Sequence, residues 1–154
     1  MQITNNFWLK EFLEGTNLPK KAIAMNDIEK LTPEQLIGIG VVAHQMQIIR
    51  DATKKEFGSD FGGFLIVAGV RQLEWELYKK RSGLSQHVNG WAVDFQPICE
   101  EAKYMLIFNW IFNKFEPIFK GGFAKKEPDL KGKEKKKGFI HIDMRLTGKA
   151  RWSY

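Results

Sequence analysis

The chain has 154 residues, a net charge of +6 and one cysteine, Cys99. That length suits a single domain, which at this size buries roughly 70% of the unfolded chain's surface without needing staples. One thiol excludes an internal disulfide, so any metal site must be built mainly from histidines and carboxylates.

The first twelve residues show no basic region followed by an apolar core, so no secretory signal is expected. No apolar run is long enough for a membrane span. Residues 3–14 read as a short element packed by Phe7, Trp8 and Phe12, ended by Gly15 and Pro19. Residues 15–32 read as a loop. Thr32-Pro33-Glu34-Gln35 is a helix start, with a hydroxyl cap, proline at the first position and glutamine at the third. That helix should run to Phe57. Leu36, Ile37, Ile39, Val41, Val42, Met46, Ile48 and Ile49 cover most of its circumference, which predicts a central buried helix. His44 within it is expected to be structural rather than a ligand.

Residues 58–63 are rich in turn formers, and 64–68 form a short apolar run that predicts a buried strand. Residues 72–80 look helical, and 81–84 form a loop. Residues 91–95 alternate: Trp91, Val93 and Phe95 fall on one strand face, Ala92 and Asp94 on the other, which leaves Asp94 accessible. A helix is expected over 98–115, with Met105, Ile107, Phe108, Ile111, Phe112 and Phe115 on its apolar side and Cys99 as a packing residue. Residues 118–123 suggest a strand entering a hairpin. Residues 124–137 are strongly basic without an apolar period and read as an exposed loop. Lacking interleaved aromatics for base stacking, that run predicts no specific nucleic-acid site. The positive charge serves either solubility or attraction to a polyanion. No internal repeat or domain boundary is apparent, and a monomer is expected.

Two stretches carry the chemistry. In 85–95, Gly90 permits a turn that brings His87 back over Asp94. On spacing alone, a surface histidine and aspartate flanking an ordinary turn is the plainer reading. In 139–145, Phe139, His141, Asp143 and Arg145 share one strand face, opposite an apolar face of Ile140, Ile142 and Met144. Burying those polar groups without partners costs about 1–3 kcal/mol each, so they face water, each other or a metal. By residue type, His87, Asp94 and His141 form a two-histidine, one-carboxylate set that fits zinc with an open position, or non-haem iron.

The pattern Ser85-x-His87-x-x-Gly90-x-Ala92-x-Asp94, with the later His141-x-Asp143, resembles the zinc D,D-peptidases that cut peptidoglycan stem peptides, particularly the small members found in phages and bacteria. Residues 48–51 and Ala68-Gly69-Val70-Arg71 resemble further segments of that family, so the likeness spans about residues 48–143. It implies an α+β fold, with helices packed on a small, mainly antiparallel sheet of the Hedgehog/DD-peptidase kind. It implies zinc held by His87, Asp94 and His141. Arg71 matches the arginine that steadies a substrate carbonyl or oxyanion, and Ser85 and Gln86 would meet the peptide's polar groups. It also implies action on the cell wall; with no secretory signal expected, something else would then have to deliver the chain. Many relatives place an acid three residues before the last histidine as general base; this chain has Gly138 there. Asp143 then serves either as the base or as a partner orienting a ligand imidazole. The missing acid also keeps open a non-catalytic structural or wall-binding module that retains the fold.

Overall fold

The computed structural model of the chain describes residues 1–131, 135–145 and 148–154. Its longest helix begins where the capping signal places it. The Thr32 hydroxyl accepts from the Gln35 N–H at 3.1 Å, and the Gln35 side chain accepts from the Thr32 N–H at 2.9 Å. The resulting helix spans Pro33–Phe57 and is the third in the chain, α3. It follows α1 (Leu9–Glu14) and α2 (Lys20–Met25). After it come β1 (Gly63–Ala68), α4 (Leu73–Tyr78), β2 (Ala92–Ile98), α5 (Glu101–Phe115), β3 (Gly122–Lys126), β4 (Phe139–Asp143) and β5 (Ala150–Ser153). The class is α+β.

The strands form one mixed sheet in the order β1-β2-β4-β3-β5. Only β3 and β5 pair in parallel; the other three pairings are antiparallel. One sheet face carries Ile66, Val93, Phe95, Phe123, Ile140 and Ile142, all buried. Against them pack Ile39, Val42, Met46 and Ile49 of α3 and Tyr104, Ile107, Phe108 and Ile111 of α5. This two-layer core orients everything else, because alternation along β2 and β4 then turns Asp94, His141 and Asp143 to the opposite, open face.

Several expectations are corrected. The stretch 15–32 is not a plain loop; it contains α2 and a single 3-10 turn, Ile28–Lys30. Buried Asn26 follows α2, and its amide donates to Leu13 O at 2.9 Å and Val70 O at 2.8 Å. That staple fixes the segment leading into Arg71. α3 is not a central helix. Only one side of it meets the sheet, so Ile37 and Ile48 remain more than half exposed, and His44 is exposed as well. α5 starts at Glu101 rather than residue 98, because β2 continues through Pro97 to Ile98. Pro97 is tolerated there because β4 pairs with β2 only as far as Phe95, so its missing N–H is not needed on that side.

The hairpin strand starts later than predicted. Ile118 and Phe119 bond back to Phe115 O, and β3 takes in Ala124, Lys125 and Lys126, which the sequence assigned to a basic loop. The predicted strand 139–145 stops at Asp143. Beyond β1, the outer edge of the sheet is closed by Thr16 and Asn17, whose N–H groups donate to Ile66 O and Val67 O at 3.0 Å each. Among the described residues, no helix is long and apolar enough to cross a membrane.

Gln35 links this scaffold to the 85–95 stretch, since its side-chain amide also donates to Val88 O at 2.8 Å. Gln35→Ala removes half of the capping box and this tether together. The expected destabilisation is about 1–2 kcal/mol by chemical denaturation, and an unchanged midpoint would contradict that role.

Candidate metal centre

Asp94 and His141 are cross-strand partners on β2 and β4, and both point to the open face. His87 reaches them from a tight loop. The Ser85 hydroxyl accepts from the His87 N–H at 3.3 Å, Val88 N–H bonds Ser85 O, and Gly90 N–H bonds His87 O. Gly90 sits at φ +75°, and a Cβ there would lie 2.5 Å from Gln35 O, so the turn accepts only glycine. The Arg71 N–H donates to His87 O at 3.1 Å, which ties the loop to the chain leaving β1.

Hydrogen bonding fixes what each ring offers. His87 Nδ1 lies 2.6 Å from Gly69 O. A carbonyl can only accept, so Nδ1 carries the hydrogen and Nε2 keeps its lone pair. That Nε2 is buried without a hydrogen-bond partner, 3.4 Å from Asp94 Oδ1. Burial pushes the His87 pKa down despite the pull of Asp94, which favours the neutral ring. His141 lies between two carboxylates, with Nδ1 2.7 Å from Asp94 Oδ1 and Nε2 3.2 Å from Asp143 Oδ2. Burial opposes charge on His141, but hydrogen bonds to Asp143 and Asp94 outweigh it and raise its pKa. Burial likewise pushes the Asp94 carboxyl up, and the two histidines override it, holding it well below the usual carboxylate range.

The donor atoms of His87, Asp94 and His141 all lie within 4.8 Å of one another. Tetrahedral zinc with bonds of 2.0–2.2 Å needs donors about 3.3–3.6 Å apart; His87 Nε2 already lies 3.4 Å from Asp94 Oδ1, and His141 Nδ1, at 2.7 Å, would have to draw back slightly, so the three residues could hold such an ion. The buried, unpartnered Nε2 of His87 faces Asp94 with its lone pair free, so it could be satisfied by a bound cation.

A ring of further groups holds these three in place. The Arg71 guanidinium donates to Asp94 Oδ2 at 3.1 Å, leaving Oδ1 to the histidines. Buried Glu76 anchors that arginine at 3.6 Å and Arg81 at 2.9 Å. Asp143, with no exposed surface, accepts from Gly122 N–H at 3.1 Å and from Arg145 Nε at 2.7 Å and Arg145 Nη2 at 2.5 Å. Burial acts to raise the Asp143 pKa, but Arg145 and His141 outweigh it and lower the value far below the carboxylate norm. Both Asp143 oxygens are therefore engaged, and its contact with the cluster is through His141 Nε2.

A cavity of about 550 Å³ opens over the cluster, with Ser85, Gln86 and Arg71 among its lining. Asp94, expected to be accessible, is only 3% exposed, because Arg71 and the two imidazoles cover it. Three further residues contribute to the site with little or no signal in the sequence. Trp152 and Tyr154, from β5 and the residue after it, stand 5.1 and 6.4 Å from the His141 ring and form one cavity wall. Their spacing of two was the available signal. Glu76 carried none, since an acid within a short helix ordinarily faces water.

Position 138 is closed to an acid. Gly138 adopts φ +64°, and a Cβ there would lie 2.3 Å from Lys126 O. The glycine belongs to the β3–β4 hairpin, whose backbones meet at that point. Comparison with family models, curated proteins and solved structures finds no match.

Proposed function

We propose that this chain is a zinc-dependent peptidoglycan peptidase, hydrolysing a stem-peptide bond that involves a D-amino acid. In this reading the fold is a small variant of the Hedgehog/DD-peptidase arrangement that the 85–94 motif resembles. The observation that carries it is the convergence of His87 Nε2, Asp94 Oδ1 and His141 Nδ1 at the floor of an open cavity, with the His87 lone pair left unpartnered.

Zinc held by these three atoms would polarise the scissile carbonyl and lower the pKa of a bound water toward about 7. Gly69 O keeps His87 in the tautomer that presents Nε2. Asp143 keeps the His141 ring turned with Nδ1 inward. Of the two roles open to Asp143, orienting His141 is the one its bonds to Arg145 favour. Arg71 holds Asp94 and lines the cavity, where its guanidinium stabilises negative charge building on the carbonyl oxygen. Ser85 and Gln86 offer polar groups to the peptide backbone at the rim.

A second reading is a non-catalytic wall-binding or structural module that keeps the fold, with or without the metal. Its support is the missing base: position 138 has no room for an acid, and Asp143 is committed to Arg145. Metal analysis and amine release separate the two. The peptidase reading expects one zinc per chain and new free amines from purified peptidoglycan, both lost to a chelator. Zinc binding without amine release from several wall chemotypes favours the module, and a chain that takes up no zinc overturns the peptidase.

A further inference from the structure

The cavity over the histidines does not end there. A second hollow of about 800 Å³ adjoins it and shares Asn17 and Phe139 as lining. Strand alternation explains the continuity. Gln96 lies two residues beyond Asp94 on β2, Phe139 two before His141 on β4, and Lys126 two beyond Ala124 on β3, all on the open face. Leu65 pairs with Gln96, and Phe139 pairs with Lys126. Each two-residue step is about 7 Å, so a second row of side chains runs parallel to the metal-binding row at that distance.

The floor of the second hollow is apolar and amide: Leu65 and Ile98 are 38% and 46% exposed, with Gln96 between them. Its wall is basic. Lys126, Lys135, Lys136 and Lys137 line it against Glu127 and Asp129. Glu127 pairs with Lys125, and Lys135 pairs with Glu101. Lys126 and Lys136, both exposed, form no ion pair among the described residues.

We propose that this hollow is a subsite for the carboxylate-bearing flank of an extended acidic peptide, gripped by Lys126 and Lys136. An extended chain rises about 3.3 Å per residue, so the carboxylate belongs about two residues from the group over His87, Asp94 and His141. The apolar floor covers the intervening side chains, which a phosphate polymer would not provide. The proposal rests on the peptidase reading for what occupies the first cavity, and it gives that reading a substrate class.

The test is equilibrium binding of fluorescent alanine hexapeptides carrying one glutamate, or glutamine at the same place. The chain is kept metal-free with chelator so that nothing is cleaved. The glutamate peptide should bind about five- to tenfold tighter at low salt, as two partly exposed charge contacts allow. Lys126→Gln combined with Lys136→Gln should erase that advantage while circular dichroism stays unchanged. Equal affinities in the wild-type chain, or an advantage surviving in the double variant, would overturn the subsite. So would inorganic phosphate displacing both peptides equally, which would mark a phosphate site instead. A glutamate preference in a chain that, once zinc-loaded, cuts no wall would remove the peptidase reading and leave the subsite; wall cleavage without the preference would do the reverse.

Discussion

His87→Ala and Asp94→Ala should each cost more than about 100-fold in zinc affinity and take wall lysis down with it. Replacing even a residue that merely orients a metal ligand costs about 10–100-fold, and these two residues supply donor atoms themselves. Each also holds part of the other's environment. Without His87, Gly69 O loses its hydrogen bond and Asp94 loses a neighbour that keeps it ionised. Without Asp94, Arg71 and His141 Nδ1 are left facing each other across the gap that its carboxylate filled. Some loss of stability, about 1–3 kcal/mol per unsatisfied buried group, will accompany either change. His44→Ala is the control, since that histidine is exposed and belongs to no metal-holding group among the described residues, and it should alter neither zinc nor lysis. Undiminished lysis in either the His87 or the Asp94 variant would sink the peptidase reading.

Asp143→Ala should lower zinc affinity by about 10–100-fold and destabilise the chain by on the order of 2–4 kcal/mol. The carboxylate takes bonds from His141, Gly122 and Arg145, and none of it reaches solvent. Its removal frees the His141 ring to rotate and leaves Gly122 N–H unsatisfied. The Arg145 guanidinium, partly exposed and stacked 5.0 Å over Trp152, can recover water and limits the cost. Isothermal titration with zinc and a denaturant series read the two effects separately. A variant that keeps full zinc affinity yet loses turnover would contradict the orienting role and restore Asp143 as the base.

What the sequence made legible was what local chemistry decides. Thr32, Pro33 and Gln35 predict the start of α3 because the cap is formed within four residues. Alternation over 91–95 and 139–143 predicts which face meets the core: Val93, Phe95, Ile140 and Ile142 join the apolar core, while Asp94, His141 and Asp143, though buried as well, lie on the other face. Where the reading failed, the deciding partner was distant in sequence. α3 looked buried all round because Ile37 and Ile48 are apolar, but the sheet supplies only one surface for it to cover. Nothing near Ala124 to Lys126 announces a strand; β4 recruits them by pairing. β5 is likewise made by β3, and it delivers the Trp152 wall. At the site, residue types and strand parity named His87, Asp94 and His141. They did not reveal that Asp94 is enclosed, that Arg71 also braces Asp94 and Glu76, or that Gly138 is locked by the hairpin backbone.

Mass spectrometry of peptidoglycan digested by the zinc-loaded chain, with and without a chelator, tests the proposed peptidase most directly. Fragments with newly freed amines beside a D-amino acid, absent when the chelator is present, are the expected result. Intact stem peptides from every wall chemotype, in a preparation carrying one zinc per chain, would contradict it.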